Sequence, residues 1–137
     1  MTQRKENDTE PNSITIEVRP DNALSKNGLR RTGWFVLRKL IASARVDAFV
    51  LARIAAEGSR SLPWSPVSIE VVQYHARRPM DFDGLACAVA PSIDGMVDAG
   101  ILIDDDPGHV KEYTLRHVKV ARVVDSRVTI TISPFSE

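Results

Sequence analysis

The sequence predicts an α+β fold: a small mixed or antiparallel sheet of about four strands, packed against helices on one face. Three observations predict it. Apolar residues alternate near both ends of the chain, they recur at helical spacing from Trp34 to Ala55, and Pro, Gly and Asp punctuate the segments between. A length of 137 residues with 43% hydrophobic content suits one globular domain with a real core and is too short for two independent ones.

Residues 1–12 are polar and charged, so they are expected to form a disordered leader ahead of a single domain spanning 13–137; they lack the apolar stretch of a secretory signal. From Ser13 to Val18, Ile14, Ile16 and Val18 fall on one side of a first strand. Pro20 to Gly28 reads as a loop. Trp34, Leu37, Ile41, Ala44, Ala48, Leu51 and Ala55 then line one face of a long helix, with arginines on its other side and Gly58 as its stop. Pro63 and Pro66 bracket a turn, after which Val67, Ile69, Val71 and Gln73 begin an extended run that continues to Arg78 and delivers the chain to Asp81. Leu85 to Val89 suggests a helix that Pro91, lacking an amide donor, interrupts; Ile93, Met96 and Val97 then pack a short second helix capped by Gly100. Val110 to Val124 and Arg127 to Ile132 are β-rich and separated by Asp125-Ser126, which predicts an antiparallel hairpin.

The formal net charge is zero, yet its distribution is uneven. From Lys26 to Arg78 the bases Lys26, Arg30, Arg31, Arg38, Lys39, Arg45, Arg53, Arg60, Arg77 and Arg78 face only Asp47, Glu57 and Glu70, whereas from Pro79 to Asp106 every charge is negative. An ordinary solvated helix face beside acidic loops gives the same pattern. A basic surface next to a carboxylate pocket also suits a phosphodiester substrate. In an extended segment Asp81 and Asp83 point the same way about 7 Å apart, and an aspartate from another strand end would close a cage. Carboxylates 4 Å apart repel by about 4 kcal/mol at an effective dielectric of 20. A hard cation, Mg²⁺ or Mn²⁺, removes that penalty. The single cysteine, Cys87, excludes an internal disulfide and a Cys-based zinc site, and no stretch is long enough to span a bilayer, so a cytoplasmic protein with no membrane partner is expected. Cys87 reads as a small buried hydrophobe, Trp34 and Trp64 as core or interface anchors, and His75 and His117 as structural histidines; His109 lies beside the acidic run.

Arg77-Arg78-Pro79-Met80-Asp81-Phe82-Asp83-Gly84-Leu85 looks like a basic lead-in followed by a D-x-D-N-L motif. Ile93-Asp94-Gly95-Met96-Val97-Asp98-Ala99-Gly100, running on to Asp104-Asp105-Asp106 and Val110, looks like a D-A-L…A-G…D-D segment, and Ser25-Lys26-Asn27 like a P-S-x-N loop. In these blocks and their order, over most of its length, the chain resembles the RusA-type Holliday junction resolvases. The resemblance implies a homodimer that recognises four-way DNA junctions by shape and nicks symmetric strands with Mg²⁺ or Mn²⁺ and no organic cofactor. It assigns the essential carboxylates to Asp81, Asp83 and Asp105, with Asp104 assisting at the metal, Asp94 in support, and Lys26, Asn27, Arg30, Arg31, Arg77, Arg78 and Lys111 on DNA. Two departures stand out. The motif's asparagine is Gly84, and the family's active-site lysine falls at Cys87 or Ala90, for which Lys111, His109 or Arg78 would have to substitute. A protein that binds branched DNA without cleaving it is the alternative expectation.

Overall fold

In the computed structural model, which describes residues 12–136, the chain runs β1 (Ile14–Val18), α1 (Lys26–Arg31), α2 (Trp34–Ala55), β2 (Val67–His75), α3 (Phe82–Asp98), β3 (Val110–Lys119) and β4 (Arg127–Pro134). The strands form one mixed sheet in the order β1-β4-β2-β3, with β4 antiparallel to both neighbours and β2 parallel to β3. The expected α+β class is therefore present, with four strands and two long helices. The expected leader, residues 1–12, lies outside the described residues except for Asn12.

The hairpin expected between β3 and β4 does not form. Val128, Ile130 and Ile132 of β4 are buried, while Lys111, Glu112, Thr114, Arg116 and Lys119 of β3 are exposed. Burial places β4 in the middle of the sheet, and its polar side chains leave β3 at the edge. Ile14, Ile16, Ile69, Val71, Ile130 and Ile132 make the inner face of the sheet, against which the helices close the core.

The helix expected from Trp34 to Ala55 is α2. Part of the expected Pro20–Gly28 loop is instead ordered as a 3-10 turn, Asn22–Leu24, and as the start of α1, because the Ser25 hydroxyl caps that helix by accepting from the Gly28 amide at 3.3 Å. The extended run stops at His75 rather than Arg78. Beyond it, α3 is a single helix. Pro91 sits buried inside it and costs about 3 kcal/mol as a helix-interior proline. The buried stripe Leu85, Ala88, Val89, Ile93 and Met96 offsets that penalty through tertiary packing.

Gly95 brings α3 against α2, since a Cβ there would collide with the Arg45 carbonyl oxygen and come within 2.9 Å of Ala48 Cβ. Gly100 ends α3 as expected: at φ +81° it lets its own amide reach the Val97 carbonyl at 2.9 Å and the Ile101 amide reach Met96 at 3.1 Å. Trp64 is buried and donates from Nε1 to Ser61 Oγ at 3.1 Å, whereas Trp34 is exposed. No helix among the described residues is long and apolar enough to cross a membrane.

Candidate functional site

The chain leaves the C-terminal end of β2 and enters α3 through Asp81. Asp81 is the cap of that helix: its Oδ1 accepts from the Gly84 amide at 2.6 Å. Asp83 follows, exposed, in the first helical turn. The two carboxylates are thus arranged by a helix start, not by the strand alternation expected. Both lie where the helix dipole favours negative charge. A Cβ at Gly84 would stand 2.9 Å from Asp81 Oδ1, so the glycine at the place of the motif's asparagine lets the capping carboxylate close over the helix end.

A cleft of about 640 Å³ opens at this point, lined by Ser25, Arg78, Met80, Asp81, Phe82 and His117. A second, of about 390 Å³, shares Arg78 and Met80 with it and adds Arg19, Arg77 and Arg127. Both fall in the size range of ligand clefts. Arg19 and Arg127 are anchored by Glu17 at 3.2 and 3.6 Å, and Arg127 lies 4.0 Å above the Tyr74 ring. Arg77 and Arg78 are exposed and make no ion pair among the described residues. Carboxylate and guanidinium groups therefore share one continuous trough.

Asp104–Asp106 lie elsewhere. Asp104 Oδ1 accepts from the Asp105 amide at 2.8 Å, and Asp106 Oδ1 accepts from the His109 amide at 3.1 Å, so two of the three shape a turn. His109 Nδ1 pairs with Ser65 Oγ at 2.8 Å, and Lys111 Nζ donates to the Pro107 carbonyl at 3.3 Å. Asp105 faces α3. Its charge acts on Asp94, whose pKa is raised first by burial and then by Asp105. One turn along α3, the Arg45 guanidinium holds Asp98 below the usual carboxylate range.

The topology keeps these groups apart. Asp81 follows the C-terminal end of β2, whereas Asp105 precedes the N-terminal end of β3, which runs parallel to β2. From Asp83 to Asp94, the neighbour of Asp105, the helix rises about 16 Å. Among the described residues no three His, Cys, Asp or Glu side chains stand close enough to hold a metal ion. The expected set Asp81, Asp83, Asp104 and Asp105 does not fit a metal held by one chain.

Of the expected DNA contacts, Arg77 and Arg78 line the trough, Arg31 is exposed at the end of α1, and Lys111 sits at the opposite end of the sheet with the acidic turn. Lys26, Asn27 and Arg30 belong to α1, and their side chains lie outside the described residues. Cys87, half-buried, and Ala90, exposed, occupy the lysine's alternative places on α3 without replacing its charge. His117, expected to be structural, stands in the Asp81 cleft. Its signal was the parallel pairing of β3 with β2, which sets His117 beside Gln73 and which the hairpin expectation concealed. Comparison with models of known protein families and with curated proteins finds no match for this chain.

Proposed function

We propose that this protein binds four-way DNA junctions and, as a homodimer, resolves them in the manner of the RusA-type endonucleases it resembles. The observation that carries the reading is the continuity of the Asp81 cleft with the arginine-lined cleft through Arg78. Guanidinium groups hold a phosphate backbone by fork-shaped hydrogen bonds and counterion release, and carboxylates lining the adjoining cleft would hold the Mg²⁺ or Mn²⁺ that supplies hydrolytic chemistry in such nucleases. Because Asp81 and Asp83 lie at one end of α3 and Asp105 at the other, a carboxylate trio needs residues from two chains. Phe35, Val46, Val50 and Ile54, all exposed on α2, give such a pair an apolar surface to bury.

A second reading, junction binding without turnover, is favoured by Gly84, by the absence of a lysine at Cys87 or Ala90, and by the separation of Asp105 from Asp81. One experiment tests both. A labelled mobile four-way junction and a matched linear duplex are incubated with the protein in Mn²⁺, in Mg²⁺ and in EDTA. Paired nicks at the junction that EDTA abolishes are the outcome expected of the resolvase; a salt-sensitive junction complex with no product supports the binding protein. Equal affinity for junction and duplex overturns both.

A further inference from the structure

Two side-chain polar atoms among the described residues are buried without a hydrogen-bond partner, Ser59 Oγ and His117 Nε2. An orphaned buried nitrogen destabilises a fold, and its persistence calls for an explanation. Ser59 sits in a turn, where its hydroxyl can rotate. His117 occupies a telling place. Its ring lines the same cleft as Asp81 and Arg78. On one side it meets His75 edge-on at 5.9 Å, and His75 is itself fixed by Nδ1 against the Arg77 carbonyl at 2.8 Å. Against it packs the Phe82 ring, with centroids 4.8 Å apart and planes tilted by 39°. Phe82 is 54% exposed, a large aromatic on the surface between the two carboxylates Asp81 and Asp83.

We propose that His117 is a phosphate-binding residue of this cleft, whose Nε2 donates to a non-bridging oxygen of a DNA phosphodiester when the Phe82 ring moves from the imidazole onto a nucleobase. The assignment deepens the DNA reading of the same trough and rests on it. Its chemistry is complete without proton transfer. An imidazole with its proton on Nε2 needs an acceptor there, a phosphate oxygen is one, and Arg78 at the same cleft wall binds a second oxygen. Phe82 gains in exchange a π-face to lie on, as aromatic side chains do on single-stranded and splayed bases. The donor that the family's lysine would supply from α3 is here supplied from β3.

The test uses the whole protein with ¹⁵N-labelled histidine, a thymidine dinucleotide carrying one phosphodiester, and a four-way junction. The dinucleotide at millimolar concentration is expected to shift the His117 Nε2 resonance. His117→Leu, which removes the orphaned nitrogen and keeps an apolar volume, is expected to melt no lower than wild type while binding the junction about tenfold more weakly. His117→Gln, which retains a donor, is expected to recover part of that affinity. An unmoved resonance, or His117→Leu binding as wild type does, overturns the assignment. So does a His117→Leu protein that melts lower while His117→Gln melts as wild type does, since the nitrogen then serves the fold. A wild-type protein whose resonance shifts but which binds junction and duplex equally loses the junction reading and keeps the role of His117.

Discussion

Arg45 of α2 grips Asp98 of α3 through two parallel hydrogen bonds, Nε to Oδ2 at 2.5 Å and Nη2 to Oδ1 at 2.8 Å. The pair pins the two long helices to each other, and its fork geometry is the strong form of an ion pair. Asp98 titrates below the usual carboxylate range because of that contact. The stability it confers is present above the unfolded carboxylate pKa and is lost as pH falls through the lowered folded value. Asp98→Asn is expected to lower the melting temperature at neutral pH, and the difference from wild type should shrink both in strong acid and at high salt, because both side chains are partly exposed. Thermal melts across pH and ionic strength check this.

Asp94 behaves in the opposite sense. Its pKa is raised, first by burial and then by Asp105, so the stability linked to its protonation is present in acid and lost as pH rises through the raised value. Asp94→Asn should stabilise the protein at neutral pH by less than about 1 kcal/mol, the range of solvent-screened charge pairs, and have no effect once the carboxyl is protonated. Chemical denaturation at two pH values measures it.

Asp81 has a structural task as helix cap alongside its proposed chemical one, and two substitutions separate them. Asp81→Asn keeps an oxygen for the Gly84 amide and should preserve stability, while Asp81→Ala should cost about 1 kcal/mol. Both should abolish junction nicking if the carboxylate acts on the ester. Nicking that survives in Asp81→Asn would confine Asp81 to the fold.

Gly95 permits the close approach of α3 to α2. A methyl group there meets backbone rather than a flexible side-chain end, so Gly95→Ala is expected to destabilise by about 1–3 kcal/mol, the usual penalty of overpacking. Urea unfolding checks the magnitude.

Arg77 and Arg78 project into the trough with no ion pair among the described residues. Replacing both by alanine should weaken DNA binding for any sequence and reduce the slope of log affinity against log salt by about two. Fluorescence anisotropy over a salt series gives that slope.

Much of the local structure was legible because local causes set it. The apolar spacing of α2, the alternation of Ile14, Ile16 and Val18, and Gly100 at a left-handed helix end depend on near neighbours alone. Strand partners were not legible, since alternation tells which face a residue takes and not which strand lies beside it. That gap turned β3 and β4 into a hairpin and hid His117 from the Asp81 cleft. At Asp81 two local signals competed. Spacing by two suits a strand, and an aspartate three residues before Gly84 suits a cap; the buried apolar stripe that begins at Leu85 decided for the helix. The acidic run was misleading for a related reason: Asp104 and Asp106 are consumed in shaping their own turn.

The place of β4 in the sheet has a consequence for synthesis. β1 has one neighbour, β4, and the hydroxyls of Thr15 and Thr131, 116 positions apart in the chain, meet at 2.8 Å. A ribosome delivers these strands in the wrong order for assembly. β2, α3 and β3 can close on one another as soon as they emerge, but β1 must wait, its backbone donors facing water, until β4 arrives and slides between it and β2. Pairing across so long a stretch of chain is slow to form, because a long loop must close before its contacts are made. Until then the nascent protein carries two open strand edges, at β1 and at β2, where the finished sheet has β4.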